Sequence, residues 1–244
     1  NRLNYTYGHS PLQEIRDCPT HLLYGRCHSQ NWVNMTDPKK SNQMGPKLLF
    51  QIIAAIAILA VPILLTTSSL RFAINAGALY EYNFDQYQIS SRTGINRDEL
   101  SRIGSNIRDY FNDDTQYISI NAEIYNEVRP LFTEREILHM EDVKSLIHGV
   151  YMLQLISLVG LIGLGGFSFL MRYKRSIYGI SLTAASGSII TILIIAGLGV
   201  GSLFGFEALF LKFHQLGFAN DLWQLNPRIH NLIAIFPESF FRDA

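Results

Sequence analysis

Two histidines each stand beside a long apolar stretch of this 244-residue chain. His139 precedes the apolar run that begins at Leu146, and His214 follows the run that ends at Phe206. The pKa of an imidazole lies near neutral pH, so a histidine can accept and release a proton under physiological conditions. We therefore take His139 and His214 as candidate catalytic residues for proton transfer.

Carboxylates at helical spacing accompany both histidines. Glu136 and Asp142 lie three residues to either side of His139, and Glu207 lies seven residues before His214. On a helix these spacings put each carboxylate on the same face as its histidine. Because a carboxylate that binds one imidazole nitrogen fixes the tautomer, we predict supporting roles for all three. The alternative is a charged helix surface that faces water.

Three apolar runs are long enough to cross a membrane as helices. A membrane-spanning helix needs roughly 17–25 mainly apolar residues. We predict transmembrane helices at 47–70, 145–171 and 177–206, whose apolar centres contain no Asp, Glu, Lys or Arg. The expected architecture is an all-α membrane bundle.

Basic residues beside the runs predict the orientation of the chain. Short cytoplasmic flanks of membrane helices carry an excess of Lys and Arg. The N-terminal segment 1–46 and the loop 172–176 are therefore predicted to be cytoplasmic, whereas 71–144 and 207–244, with both histidines, are predicted to be external. The basic residues concerned are Lys39, Lys40, Lys47, Arg172, Lys174 and Arg175.

The external segment 71–144 reads as a small mixed α+β domain. Asn96 and Thr133 are each followed three residues later by Glu, which is the capping-box pattern of a helix start. Apolar residues at helical spacing follow Asn96, and Tyr117–Ile120 alternates like a short strand. The aromatic run Tyr80–Tyr87 fits either an extended strand or an interfacial belt.

Aromatic residues of the external segments are predicted to contact substrate or the membrane surface. Tyr and Trp are enriched where lipid meets water. On this ground we select Tyr80, Tyr87 and Trp223.

Glycines recur at short intervals in the second and third apolar runs. Gly197, Gly201 and Gly205 are spaced every four residues, and Gly160 and Gly163 belong to a similar group. Small residues at this spacing let membrane helices approach closely. We therefore predict that these glycines lie at helix contacts.

Several classes of function are disfavoured by composition and motif. Twenty basic and twenty acidic residues give no excess charge for binding nucleic acid. Phosphate-binding loops and nucleophile elbows are absent from the sequence, and no tight metal-ligand spacing occurs. We predict no cofactor and no metal, and the oligomeric state is left open. Met35 with its basic flank resembles a natural start. If translation begins there, residues 1–34, which hold both cysteines, do not belong to the working protein.

Four stretches together resemble the signature of a bacterial integral-membrane family with four spans. They are Leu131–Lys144, Phe213–His214, Asp221–Pro227 and Phe236–Phe241. The best understood members of that family are lipoprotein intramolecular transacylases. Since three spans are present, the resemblance implies a fourth beyond Ala244.

The resemblance also implies a reaction and a place in the cell. A lipoprotein whose N-terminal cysteine carries a diacylglyceryl group would be the substrate, held in lipid at the bacterial cytoplasmic membrane. One acyl chain would move to the cysteine's α-amino group. The two functional histidines of the family match His139 and His214. We assign His139 as base and His214 as oxyanion stabiliser or acid, with the exchanged roles also open.

Two other functions remain open at this point. The chain could be a non-catalytic accessory or assembly protein of the membrane, or, third, a metal-dependent lipid hydrolase. The distance between the two imidazoles discriminates, because rings more than about 10 Å apart could not act as one acid–base pair.

Overall fold

Most of the chain that the structure describes is helical. The structure is a computed structural model that describes residues 44–171 and 173–243. In chain order its helices and strands are α1 (Met44–Asn75), α2 (Gly77–Gln86), α3 (Ile89–Thr93), α4 (Arg97–Asn112), β1 (Asn121–Ile124), β2 (Glu127–Pro130), α5 (Glu134–Met171), α6 (Tyr173–Gly217), α7 (Asn231–Ile235) and α8 (Glu238–Asp243).

The three longest helices contain the three predicted membrane spans. Leu48–Asn75, Glu134–Met171 and Ser176–Gly217 are long and apolar enough to cross a membrane. Large apolar side chains on them are exposed, reaching 83% for Leu170 and 88% for Phe204. Exposed apolar surface of this extent is unfavourable in water and suits the hydrocarbon of a bilayer.

The third long helix exceeds its predicted bounds at both ends. Because α6 begins at Tyr173, residues 173–176, assigned to a loop from the sequence, are helical. It continues to Gly217, so His214 lies on the helix itself and the predicted segment 207–244 starts inside it. The chain leaves helical geometry once within α6, at Gly205, where φ is −176° and ψ is 56°.

Several residues behind the predicted orientation lie outside the described residues. They are Lys39, Lys40 and Arg172, together with the side chains of Lys47, Lys174 and Arg175. Residues 1–34, with Cys18 and Cys27, also lie outside that part of the chain. The orientation across the membrane therefore stays a prediction.

A small domain, formed by α2, α3, α4, β1 and β2, lies between the first two long helices in sequence. The apolar face of α4 is buried in its core, as predicted, including Leu100 and Ile103. Asn96 caps α4 by accepting a hydrogen bond from the Asp98 amide. Glu99 pairs with Arg102, so only half of the predicted capping box forms.

The last two helices complete the core of the small domain. The side-chain amide of Asn83 donates to the carbonyl of Ile235 at 2.9 Å, and the ring of Phe236 meets those of Tyr80 and Phe84. This contact joins residues more than 150 positions apart. This part of the segment 207–244, which the sequence predicted only to be external, thus belongs to the core of the small domain.

The observed hairpin contains neither Tyr80–Tyr87, which fitted a strand or an interfacial belt, nor Tyr117–Ile120, which was expected to be a short strand. Tyr80–Tyr87 is helical up to Gln86, because Tyr80, Asn83 and Phe84 form one buried helix face. Ile118 and Ile120 are buried alternately, but strand pairing starts only at Asn121. The antiparallel hairpin pairs Asn121 with Pro130 and Ile124 with Glu127, and it turns at Tyr125 and Asn126, both with positive φ.

The tightest glycine contact between two long helices is at Gly187, which the sequence pattern did not select. A Cβ at Gly187 of α6 would lie against Val61 of α1 and 2.9 Å from the carbonyl oxygen of Ile58. At Gly197 and Gly205 a Cβ would meet nothing within 4 Å, and the same is true at Gly160 and Gly163. In the group of Gly160 and Gly163, a Cβ at Gly165 would reach Ile180 of α6, at 4.0 Å. The four-residue glycine repeats therefore do not mark helix contacts within the described part of this chain.

We predict that Gly187→Ala destabilises the protein and that Gly197→Ala does not. The added methyl at Gly187 meets backbone, and overpacking of this kind typically costs about 1–3 kcal/mol. Gly197 is the matched control on the same helix, where the methyl enters open space. Thermal unfolding of the full chain in detergent micelles measures the difference. Equal midpoints for the two variants would show that the α1–α6 contact is not tight.

Candidate active site

The structure brings the two candidate histidines together. His139 lies near the start of α5, His214 lies near the end of α6, and their ring centroids are 6.2 Å apart. Both side chains are buried, with exposed fractions of 6% and 8%. The pair therefore meets the distance condition for acting as one acid–base unit.

A capping box fixes the start of the helix that carries His139. The Glu136 carboxylate accepts hydrogen bonds from the Thr133 amide at 2.7 Å and the Thr133 hydroxyl at 2.8 Å. Its other oxygen accepts from the Leu232 amide at 2.7 Å. Glu136 is fully buried, and these bonds hold it to the backbone rather than to His139. The capping prediction is confirmed, whereas the predicted support of the imidazole is not what these contacts provide.

The helix that carries His214 also fixes its tautomer. Nδ1 of His214 lies 2.8 Å from the carbonyl oxygen of Phe210, one turn earlier. A carbonyl oxygen only accepts, so Nδ1 must carry the proton. In the neutral ring Nε2 then holds the free lone pair.

Glu207 does not take the place that the sequence predicted for it. Its side chain is exposed and lines a separate groove with Glu238 and Arg242. The backbone carbonyl of Phe210 orients the His214 ring instead.

Aromatic rings enclose the histidine pair. The centroid of the His214 ring lies 4.4 Å from that of Phe210 and 5.2 Å from that of Trp223. Phe218 lies 5.2 Å from His139 and 5.6 Å from His214, so it contacts both. Rings on this scale exclude water and lower the local dielectric constant. Of the three aromatic residues chosen from the sequence, Trp223 is at the site.

Burial, together with the neighbouring His214, lowers the pKa of His139 to about 4. Asp142 opposes this effect, while Arg135 adds to it. His139 precedes the apolar span predicted from residue 145. Its Nδ1 is buried without a hydrogen-bond partner among the residues that the structure describes. The His139 imidazole is therefore neutral at physiological pH.

Tyr80 and Tyr87 serve the small domain and do not contact the histidine pair. The Tyr80 hydroxyl donates to the Ile74 carbonyl, and burial raises the pKa of this core tyrosine to about 12. The Tyr87 hydroxyl lies 2.5 Å from an Asp243 carboxylate oxygen and 2.9 Å from the Ser239 carbonyl oxygen. These tyrosines hold the small domain to the C-terminal helices, which differs from the predicted contact with substrate.

Three residues near the site were not selected from the sequence. Arg135 donates to the Asp221 carbonyl and so ties α5 to the chain that follows α6. Asn220 donates to Asp142 at 2.8 Å. Arg135 and Phe218 each lie four residues from a candidate histidine, and this helical spacing could have identified them.

An open groove of about 560 Å³ runs along α5 beside the pair. Asp142 and Asn220 line one part of it, and Leu146, Gly149 and Leu153 line another. Phe218 also belongs to its wall. In the described part of the chain, no group of three or more His, Cys, Asp or Glu could hold a metal ion.

Comparison with known proteins supplies the family. The model of the family described as lipoprotein intramolecular transacylase Lit matches residues 55–241, which is well over half of the chain. The chain belongs to the Lit family. Together with the three apolar helices, membership identifies an integral membrane protein. A search of curated proteins found no match.

Solved structures from the Lit family share the fold. The in meso structure of the membrane integral lipoprotein intramolecular transacylase Lit from Bacillus cereus is 18% identical, with a TM-score of 0.65, and the match covers 81% of this chain and 86% of that chain. A variant of the Bacillus cereus protein with a histidine replaced by arginine is 19% identical, with a TM-score of 0.63 and coverage of 84% and 86%. At this identity the likeness extends to the fold alone.

We predict that Glu136→Ala destabilises the protein strongly. The substitution removes the carboxylate that accepts from the part-buried amides of Thr133 and Leu232. Hydrogen bonds to a charged group typically contribute about 1.5–3 kcal/mol each. Glu134→Ala is the matched control, because Glu134 is exposed in the same helical turn. Denaturant unfolding of the full chain in micelles measures both. Equal stability of the two variants would mean that Glu136 does not hold α5 to α7.

We predict that stability falls as the pH is lowered from about 6.5 towards 4. In this window the unfolded chain, with an ordinary imidazole pKa, binds a proton at residue 139 and the folded chain does not. Residue 139 changes the free energy of unfolding by at most about 1.4 kcal/mol per pH unit. His139→Gln should remove this part of the pH dependence.

Histidine NMR of the full chain in micelles checks the titration directly. The His139 ring signals should stay constant between pH 5 and 7. A midpoint near the ordinary histidine pKa would contradict the buried, neutral state.

Proposed function

We propose that this chain is a membrane acyltransferase acting within a single lipoprotein molecule. It would move one acyl chain from the diacylglyceryl group of the N-terminal cysteine to the α-amino group of that cysteine. Membership of the Lit family supports the reaction class. The observation that carries the proposal for this chain is the buried pair His139 and His214, with ring centroids 6.2 Å apart.

The reaction balances without any added reagent. The cysteine ammonium first loses a proton, which is feasible because the pKa of an α-amino group is near 8. The amine nitrogen then attacks the ester carbonyl, a C–N bond forms and the C–O bond to glycerol breaks. A proton from the nitrogen ends on the glycerol oxygen. The products are an amide and a free hydroxyl, so neither water nor a cofactor enters.

His214 is suited to the role of base. Its Nδ1–H is engaged by the Phe210 carbonyl, which leaves the Nε2 lone pair to accept a proton from the attacking amine. Because Nδ1 is held in this way, the imidazole stays in the tautomer whose Nε2 can accept a proton. The sequence left two assignments open. This hydrogen bond favours the one in which His214 is the base and His139 is the oxyanion stabiliser or acid.

His139 is suited to donating a hydrogen bond rather than to accepting a proton. A pKa of about 4 makes the ring a weak base, but a neutral imidazole still donates through its N–H. A neutral histidine of this kind can polarise a carbonyl and stabilise the developing oxyanion. We assign that role to His139.

The enclosure around the pair suits transfer to an amine over hydrolysis. Phe210, Phe218 and Trp223 place apolar rings against the imidazoles, and apolar surface there would disfavour water that competes with the amine for the ester. Amine and ester belong to one molecule, so their attack gains the large advantage of an intramolecular reaction.

The setting of the reaction follows from the predicted orientation. The protein would lie in the bacterial cytoplasmic membrane with its N-terminus inside and with the small domain and site outside. Its partners would be the lipoprotein substrate and surrounding lipid.

Asp142 would support His139 through its charge, which raises the pKa of that ring.

We predict different losses for matched histidine substitutions. Removing a general base typically lowers a rate about 10²–10⁴-fold, so His214→Gln should lose most of the activity. A glutamine at 139 still donates a hydrogen bond, so His139→Gln should retain more activity than His139→Ala. Loss of one oxyanion donor typically costs about 10²–10³-fold. His148→Gln is the control, since His148 on the same helix contacts the Phe111 carbonyl.

Lipoprotein mass spectrometry reads the outcome. The full chain and its variants are expressed in a bacterial host that lacks other lipoprotein N-acylating enzymes. The expected product carries one acyl chain on the α-amino group and one on glycerol. Normal product from both His139→Ala and His214→Gln would contradict the proposal and favour a non-catalytic membrane partner.

A further inference from the structure

The groove beside the histidine pair has the chemistry of a binding site for a lipid with an amine at its head. Its wall includes Phe218, whose ring contacts both His139 and His214. A molecule in the groove is therefore separated from the histidine pair by the Phe218 ring. We propose that the groove holds one acyl chain of the lipoprotein's diacylglyceryl group while Asp142 binds the α-ammonium. This proposal rests on the proposed function.

The length of the groove suits a single acyl chain. From Asp142 to Leu153 the helix α5 advances eleven residues, which is about 16 Å at 1.5 Å per residue. That is roughly half of the hydrocarbon core of about 30 Å, the depth that one leaflet occupies. The residues facing the groove along this length include Leu146, Val150 and Leu153.

The charge of the groove favours a cation at its polar part. Asp142 is the one ionisable residue among the described residues that line it. A carboxylate accepts several hydrogen bonds, so Asp142 can bind an ammonium while it accepts from Asn220. An anionic lipid phosphate would instead be repelled. The occupant is therefore an amine-headed lipid, and the α-ammonium of the N-terminal cysteine has this chemistry.

Gly149 keeps the groove open. A Cβ at this position would meet nothing within 4 Å, so a larger side chain would enter the groove without clashing with the protein. Gly160 has the same open surroundings, lies on the same helix and does not line the groove. The two glycines form a matched pair in which only one substitution obstructs the proposed site.

Binding is measured apart from catalysis. The full chain carries His139→Gln and His214→Gln to prevent turnover and is placed in phosphatidylcholine vesicles. The probe is a fluorescent synthetic peptide with a dipalmitoylglyceryl N-terminal cysteine and a free α-amine. Gly149→Leu should weaken binding of this peptide by about tenfold, because the leucine side chain would occupy the volume that the acyl chain needs. Gly160→Leu should leave binding unchanged.

A second probe tests the role of Asp142. The same peptide with an acetylated α-amine carries no charge at that nitrogen. Asp142→Asn should weaken binding of the free-amine peptide by about fivefold and leave binding of the acetylated peptide unchanged. Phosphatidylglycerol added to the vesicles should not displace the free-amine peptide.

The outcomes separate this proposal from the proposed function. If the Gly149→Leu and Gly160→Leu variants bound the peptide equally well, the groove could not be the binding site of the acyl chain. Equal effects of Asp142→Asn on both peptides, or displacement by phosphatidylglycerol, would overturn the ammonium site. These results do not depend on turnover, which only lipoprotein mass spectrometry with intact histidines reports.

Discussion

The buried carboxylate of Glu136 determines where the site can form. A fully buried carboxylate needs several hydrogen-bond donors to compensate for the loss of water. Thr133 supplies two of them and Leu232 a third, from a segment 96 residues away in sequence. These bonds cap α5 at Thr133, three residues before Glu136, and hold α7 against that start. The position of His139 within the fold, and the closure of the small-domain core by Ile235 and Phe236, both depend on this arrangement.

The surroundings fix the tautomer of the His214 ring and the neutral form of the His139 ring in different ways. His214 is oriented by the carbonyl one turn back in its own helix, so its tautomer requires no second residue. His139 is neutral because burial and a neighbouring imidazole disfavour its charged form. In the proposed reaction, His214 would act as the base and His139 as the hydrogen-bond donor. Both states exist before substrate binds, which is what a preorganised site requires.

Local patterns in the sequence predicted the parts that local interactions determine. The three apolar helices, the Asn96 cap, the buried face of α4 and the Thr133–Glu136 capping box follow from composition and spacing alone. The features that were placed wrongly depend on distant contacts. Glu136 was read as a partner of His139 because Leu232 could not be anticipated. Tyr80–Tyr87 was read as a strand or an interfacial belt because its buried helix face forms only against Phe236. The helix contact at Gly187 depends on which helices become neighbours, which no repeat within one helix reveals.

A crossover measurement tests the central claim that both reacting groups belong to one lipoprotein. The full chain in vesicles receives two diacylglyceryl lipopeptides of different peptide mass, one with deuterated acyl chains and one without. Mass spectrometry then reads which label each new amide carries. We predict that every N-acylated peptide keeps the label of its own glyceryl group. Amides with exchanged labels would contradict transfer within one molecule, and the absence of any amide would contradict the acyltransferase itself.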